Sequence, residues 1–274
     1  MKSPRPKRHP PSQPAIRRVE PYSALASVYD LVMAHVDYDE WAGYIHGLLL
    51  LHGETPRRLL ELGCGTGSIG LALLALTDFE YTGLDASAEM VGIASQKAAS
   101  LGYPADWIVA DYTDFEVEEP FDVVLLLYDG LNYSVDAADV VRLFQCAARA
   151  LRPGGLLLVD QSTHANSENN AEYFNDTGGD STFRYIRSSS YDVKTSIHRT
   201  VFEIQKAGEV FEEVHIQRAY AAGDISAIFE GVGFRIEAAY DGFSLDEPVE
   251  GSERIQWVAR APGSHAVVGT NESL

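Results

Sequence analysis

Cysteine is nearly absent from this chain. Its two copies, Cys64 and Cys146, fall in different predicted elements, without the spacing of a zinc ligand set or a redox dithiol. No disulfide framework or structural metal is indicated, and a reducing cytoplasm is the expected compartment. Long apolar runs are missing too: none approaches the roughly 20 residues that cross a bilayer, so no membrane partner is expected. Basic residues are the third scarcity. The chain holds 21 Lys and Arg against 40 Asp and Glu, and six of the 21 crowd into residues 1–18, where there is no acid. The remaining 15 therefore face all 40 acids. A body of that sign repels phosphate backbones, so nucleic acid is not an expected partner, and small neutral or cationic molecules are favoured.

Residues 1–18 also carry five prolines. They cannot build a core and read as a disordered basic tail, and they lack the apolar segment of a secretory signal. The rest of the 274 residues suffices for one large domain with an elaboration.

Strand and helix signals alternate after residue 58. Arg58–Leu62, Tyr81–Asp85, Trp107–Ala110, Phe121–Leu127 and Leu156–Val159 read as strands. Between them Ser68–Thr77, Ser87–Leu101 and Asp136–Leu151 read as helices. This rhythm predicts an α/β fold, a doubly wound, mostly parallel seven-stranded sheet with helices on both faces. The rhythm breaks at 165–181, which is polar and turn-rich. Phe183–Ser188, Ser196–Gln205 and Val210–Arg218 then read as an antiparallel insertion, with a hairpin at Lys206–Glu209. A helix near Asp224–Glu230 and strands Phe234–Tyr240 and Arg254–Ala259 return to the main sheet. The expected division is 19–164 with 219–262 as the main domain, 165–218 as an inserted cover, and 263–274 as a frayed tail.

The stretch that carries chemistry is Glu61-Leu-Gly63-Cys64-Gly65-Thr66-Gly67, followed by Asp85 at the end of the next strand. A strand, a glycine loop, a helix, a second strand and an acid make a nucleoside site at the carboxyl edge of a sheet. Glycines let the backbone approach a ligand, and the acid can accept from two ribose hydroxyls. Residues 65–70 satisfy the dinucleotide pattern G-x-G-x-x-G. Glu61, however, would repel a pyrophosphate and suits a cation. S-adenosylmethionine, with a sulfonium and an α-ammonium, fits that better than NAD. An NAD-dependent oxidoreductase and a non-catalytic, cofactor-binding regulatory protein stay open as alternatives.

Several linked motifs resemble the class I, Rossmann-like S-adenosylmethionine-dependent methyltransferases across residues 20–260. Glu61–Gly67 resembles their first motif. Gly83-Leu-Asp85-Ala86-Ser87 with Met90, Ala110-Asp111-Tyr112, and Leu151-Arg-Pro-Gly-Gly155 resemble the later ones. The likeness is closer to small bacterial members with a Tyr22-Ser-Ala-Leu-Ala26-Ser-Val-Tyr29-Asp30 start and a Tyr128-Asp129-Gly-Leu-Asn132-Tyr133 segment.

The resemblance implies cofactor contacts from Gly63, Cys64, Gly65 and Gly67 under the methionine moiety, with Glu61 at the ammonium. It implies Asp85 on the ribose, Ala86 and Met90 against the adenine, and Asp111 and Tyr112 at its polar edge. Tyr22 and Tyr128 complete the cofactor set. Tyr22 and Tyr29 are expected to share one face of a helical lid, with Tyr29, Asn132 and Arg218 at the substrate. Methyl transfer is an in-line displacement that needs orientation, a closed site and an available lone pair on the acceptor. Asp129, Tyr133 and His215 are the candidate catalytic groups, with His164 a further candidate. Asp129 and Asp160 follow successive strands and could suggest a metal, but no third ligand is evident and none is expected. The expected reaction is methylation of a small molecule, nitrogen slightly favoured over oxygen on the acidic body and Asp129, releasing S-adenosylhomocysteine. A homodimer is admissible.

Overall fold

The computed structural model describes residues 15–170 and 173–263. Its main sheet is built from β2 (Arg58–Leu62), β3 (Glu80–Asp85), β4 (Asp106–Val109), β5 (Phe121–Leu126), β6 (Leu151–Ser162), β11 (Arg235–Asp241) and β12 (Arg254–Arg260). With β1 reserved for Ile16–Arg18, discussed below, the spatial order is β11-β12-β6-β5-β2-β3-β4. The five strands from β6 to β4 run parallel, and β12 is antiparallel to both its neighbours. From β2 the chain winds outward through β3 and β4, then returns to place β5 on the other side of β2. The crevice beyond the carboxyl ends of β2 and β5 is thus the topological switch point where open α/β sheets bind ligands.

The sheet is buried on both faces, which is why β5 is almost wholly apolar. Asp122 is the exception, and it serves the sheet by accepting from Arg57 N, Arg58 N and Arg152 Nε. On one face lie α5 (Ala137–Ala150) and α7 (Ala222–Val232). Val140, Leu143, Phe144, Ala147 and Ala150 form the buried stripe of α5, and Phe144 stacks on Phe229 at 4.3 Å between ring centroids. The other face is covered by α2 (Tyr38–Leu51) and α3 (Ser68–Leu76). α2 is not among the helices expected above, although Asp37 accepts from Glu40 N at 2.9 Å in a recognisable N-terminal cap. The remaining helices are α1 (Tyr29–Val32), α4 (Ala88–Leu101) and α6 (His164–Asn169). Among the described residues no helix is long and apolar enough to cross a membrane.

Gly70 lies inside α3 for a packing reason. A Cβ there would sit 2.2 Å from Tyr81 Cζ. The third glycine of the nominal dinucleotide pattern therefore makes room for a tyrosine ring, with no ligand involved. Gly70→Ala is expected to cost about 1–3 kcal/mol from overpacking, read as a lower urea midpoint with unchanged slope. A neutral effect would show that Tyr81 can swing clear.

The insertion forms a second sheet, ordered β1-β10-β9-β8-β7, from β7 (Asp176–Gly179), β8 (Phe183–Asp192), β9 (Ile197–Lys206), β10 (Glu209–Arg218) and β1 (Ile16–Arg18). The hairpin between β9 and β10 turns on Ala207 (φ +52°) and Gly208 (φ +82°), the positive pair that a two-residue turn matching strand twist requires. Two expectations need correction here. The polar stretch 165–181 contains most of α6 and the whole of β7. The expected tail of residues 1–18 ends in a strand, since Ile16–Arg18 pairs parallel with Val210–Glu212. Composition misses this because β1 is exposed and is held by backbone bonds and by pairs such as Arg18–Glu212 (2.7 Å). The expectations for 1–14 and 264–274 lie outside the described residues.

Candidate active site

The glycine loop leaves β2 with Gly63, Gly65 and Gly67 all at positive φ. A Cβ on Gly63 or Gly65 would meet nothing within 4 Å, so that side of the loop is open. It opens on a cavity of about 980 Å³. Gly67 is different: its added Cβ would lie 2.8 Å from Trp107, and it supplies the left-handed turn into α3. Of the expected cofactor contacts, Gly67 alone is not on the cavity wall.

Asp85 is fixed by Gly65 N (2.9 Å) and Ser87 N (2.8 Å), and burial pushes its carboxyl up from the usual range. Ala86 and Met90 follow it on the same wall. Met90 is also core, fully buried, with its N–H donating to Ser87 Oγ. Asp111 is exposed; one oxygen accepts from both Thr113 N and Thr113 Oγ1 at 2.8 Å, while the other has no protein partner among the described residues. Glu61 is buried and accepts from Tyr81 OH at 2.6 Å. Burial outweighs that bond and raises the carboxyl to about 7. Cys64 is buried behind the loop, its thiol also pushed up by burial.

A cluster not anticipated from the sequence pins the first helix to this loop. Asp30 accepts from Thr66 Oγ1 at 2.6 Å and from Lys97 Nζ at 2.9 Å, and Lys97 also donates to Ser68 Oγ at 2.7 Å. In the Tyr29-Asp30 pair the acid is thus the anchor. The helical lid expected to carry Tyr22 and Tyr29 on one face does not form. Tyr22 sits at φ +63° in a turn, and only Tyr29 begins α1. Folding back across the loop still brings their rings edge to face, 5.9 Å apart.

A second cavity, about 590 Å³, lies between the main sheet and the insertion. Tyr22, Tyr29, Tyr128 and Tyr133 line both cavities. Tyr133 OH is 2.5 Å from Tyr22 OH and 2.9 Å from His215 Nδ1, and His215 Nε2 is 3.2 Å from Glu213 Oε2. Glu213 also accepts from the backbone N–H groups of Tyr22, Ala24 and Leu25 at 2.6–2.8 Å. Burial opposes its ionisation, but His215 and these N–H groups win and hold the carboxyl below the usual range. An ionised Glu213 accepts a hydrogen bond from Nε2–H, leaving Nδ1 to accept from Tyr133. Burial pushes the phenols of Tyr22 and Tyr133 well up. Glu213 carries no motif; period-2 spacing from His215 was its one sequence signal.

Other expectations are revised by what these side chains touch. Asp129 is ion-paired with Arg254, which also binds the buried Asp160. The cation between the two aspartates is a guanidinium from β12, lying 5.7 Å from the Trp41 ring centre and 5.5 Å from that of Tyr128. Asp129 is therefore neutralised and poorly suited to be a base. Among the described residues no group of three or more His, Cys, Asp or Glu could hold a metal. The Asn132 amide is consumed structurally, donating to Ser162 O and Arg218 O at 2.8 Å and accepting from Ser162 N. Asn132 lines the second cavity, and of its side-chain capacity the second lone pair of Oδ1 is left for a ligand. His164 is bound to Tyr191 OH and lies off both cavity walls. Tyr112 donates to Gly130 O at 3.2 Å, and Arg218 lines the second cavity.

Comparison with known proteins agrees with this architecture. Residues 59–155 match the family model described as "Methyltransferase domain". The chain is 34% identical over 247 residues to YqeM of Bacillus subtilis (strain 168), whose name assigns it provisionally to the methyltransferases; the match covers 87% of this chain and 96% of that one. A solved S-adenosylmethionine-dependent methyltransferase from Clostridium acetobutylicum superposes with a TM-score of 0.74 at 23% identity, over 88% of this chain and 99% of that one. The sugar N-methyltransferase KedS8 from Streptoalloteichus does so with 0.65 at 21% identity, over 96% and 99%. The seven-stranded sheet, the glycine loop at its switch point and this full-length likeness place the chain among the class I S-adenosylmethionine-dependent methyltransferases.

Proposed function

We propose that the protein methylates a small-molecule amine, holding S-adenosylmethionine in the larger cavity and the amine in the smaller. The observation that carries this reading is the junction of the two cavities at four tyrosines. When bound, S-adenosylmethionine supplies a methyl carbon activated by its sulfonium. Gly63 and Gly65 would allow its close approach, Asp85 would take the ribose hydroxyls, and Glu61 would hold the ammonium. Ala86, Met90, Asp111 and Tyr112 would hold the base. An amine attacks only after losing its proton. Tyr133 can take that proton while passing its own to His215 Nδ1, with Glu213 compensating the imidazolium. Nitrogen is favoured because solved structures of similar fold include a sugar N-methyltransferase, matched over 96% of this chain, and an amino pentose methyltransferase, matched over 85%. Asp129, bound to Arg254, no longer supports that preference.

The test uses methyl-labelled S-adenosylmethionine with a panel of amines, phenols and carboxylic acids. Label in amines is the expected result, and label confined to phenols would overturn the choice of nitrogen. S-adenosylhomocysteine binding without any product would favour a regulatory protein. Tight NADH binding without S-adenosylhomocysteine binding would remove the reading altogether.

Glu61 makes cofactor affinity pH-dependent. Its carboxyl titrates near 7 in the ligand-free fold, and an ammonium favours the ionised form. S-adenosylhomocysteine affinity should rise about tenfold per unit up to pH 7 and then level off. Calorimetry should detect proton release, and Glu61→Gln should flatten the profile. A flat profile in the parent would sink the assignment. The fold holds a proton that the unfolded chain has released, so the same group lowers ligand-free stability as pH rises from 4.5 to about 7.

A further inference from the structure

Strand register fixes which side chains of the second sheet face the smaller cavity. Pairing sets Ser189, Thr200 and His215 in one row across β8, β9 and β10, and Tyr191, His198 and Gln217 in the next. Alternation along each strand puts both rows on one face. That face meets the cavity: His215 binds Tyr133 OH, and the His198 ring meets Phe174 edge to face at 4.9 Å. Thr200, His198 and Gln217 all line the cavity wall. Arg218, one position further on, turns its guanidinium away to Val135 O and the Tyr220 ring.

Two groups of the second row are incompletely bound. His198 is only 8% exposed. Its Nδ1 lies 3.2 Å from Ser167 Oγ in α6, and its Nε2 has no partner among the described residues. Burial lowers the histidine below its ordinary pKa, so the ring is a neutral imidazole whose Nε2 donates or accepts according to tautomer. The Gln217 amide, opposite His198 on β10, joins no hydrogen bond among the described residues. Buried polar groups cost free energy until a partner meets them, and a few such groups on an otherwise apolar wall give a ligand its orientation. The carboxylates on the wall are already matched, Asp129 with Arg254 and Asp176 with Arg187 at 2.7 Å. What this end of the cavity offers a ligand is therefore uncharged donors and acceptors.

We propose that His198 and Gln217 set acceptor specificity by binding an uncharged group that both donates and accepts hydrogen bonds, a hydroxyl or a carboxamide. This rests on the reading of the smaller cavity as the acceptor site. The two rows are two residues apart along the strands, about 7 Å. With the nitrogen at Tyr133, beside the His215 row, the recognised group sits roughly that far from it, across one six-membered ring.

Binding of cyclohexylamine and of its trans-4 alcohol, carboxamide and carboxylic acid should be measured calorimetrically on protein saturated with S-adenosylhomocysteine. The alcohol or the carboxamide should bind at least about tenfold more tightly than cyclohexylamine, and the stronger of the two identifies the group. The acid should bind more weakly than that stronger form. Gln217→Leu and His198→Asn should each shrink the preference at least about threefold, while S-adenosylhomocysteine affinity holds. Gln217 has no partner to lose among the described residues, so its variant reports on the ligand even where His198→Asn does not fold. The proposal falls if cyclohexylamine matches both neutral forms, if none of the four binds, if the acid binds tightest, or if Gln217→Leu keeps the full preference. Failure of S-adenosylhomocysteine to bind the parent would instead strike the functional reading itself.

Discussion

Arg254→Met is expected to cost about 3–5 kcal/mol of stability, the largest effect of any single substitution considered for this chain. The arginine joins Asp129 and Asp160, and Asp160 is fully buried on the central strand β6. Methionine fills similar volume but leaves two carboxylates facing each other without a cation. Asp160 keeps Gln256 Nε2 and Asp129 N as donors, which do not replace a charge. Asp129 and its neighbour Tyr128 are at φ +65° and +51°, a conformation that costs roughly 1–3 kcal/mol per residue unless its surroundings enforce it. The guanidinium is much of that enforcement. Chemical denaturation at pH 7 measures the loss.

The sign of the pH dependence follows. Burial already raises Asp129 against the pull of Arg254, and without the arginine its carboxyl should titrate higher still. The Asp129 part of the penalty is then full above its folded pKa and disappears below that of the unfolded chain, about 4. A second substitution, Asp160→Asn, should recover part of the loss at pH 7. A variant whose stability stays within 1 kcal/mol of the parent's at pH 7 would show that the clamp is ornamental.

Tyr133→Phe is expected to lower kcat by about 10²–10⁴-fold while altering stability and S-adenosylhomocysteine affinity little. The ring and its packing remain, and only the hydroxyl between Tyr22 and His215 is lost. Glu213→Gln should lower kcat as well, because a neutral amide no longer compensates an imidazolium. It should also loosen residues 22–25, seen as faster hydrogen exchange of the Ala24 and Leu25 amides. Combining the two should cost little more than the worse single change, as in any unit whose parts act together. Wild-type turnover in Tyr133→Phe would remove the phenol from the proton path.

The parallel core was legible because each strand is a short apolar run and each helix carries a stop signal, as Gly102 does after α4. The wall of the larger cavity was legible for the same reason: its residues follow strands in the order that the winding dictates. What stayed hidden are contacts between distant segments. Arg254 gives no sign, within its own strand, that it reaches Asp129 and Asp160. Asn132 and Asp129 look like ligands in a list of polar residues. Their partners, Arg218 O and Arg254, belong to segments that only the folded topology brings near. The spacing of Tyr22 and Tyr29 predicts a helix through both, whereas the Tyr22 N–H is held by Glu213.

That last bond also dictates a schedule. Tyr22 and Glu213 are 191 positions apart. The wall that Tyr22 gives to both cavities therefore cannot close on a growing chain until β10 has been made. By then the whole parallel sheet from β2 to β6 has been synthesised. A nascent chain could seat a cofactor against its glycine loop well before it could align a base. Contacts of such long sequence separation form late and slowly. The competent enzyme should thus appear after the nucleoside pocket does, and refolding experiments should recover cofactor binding before turnover.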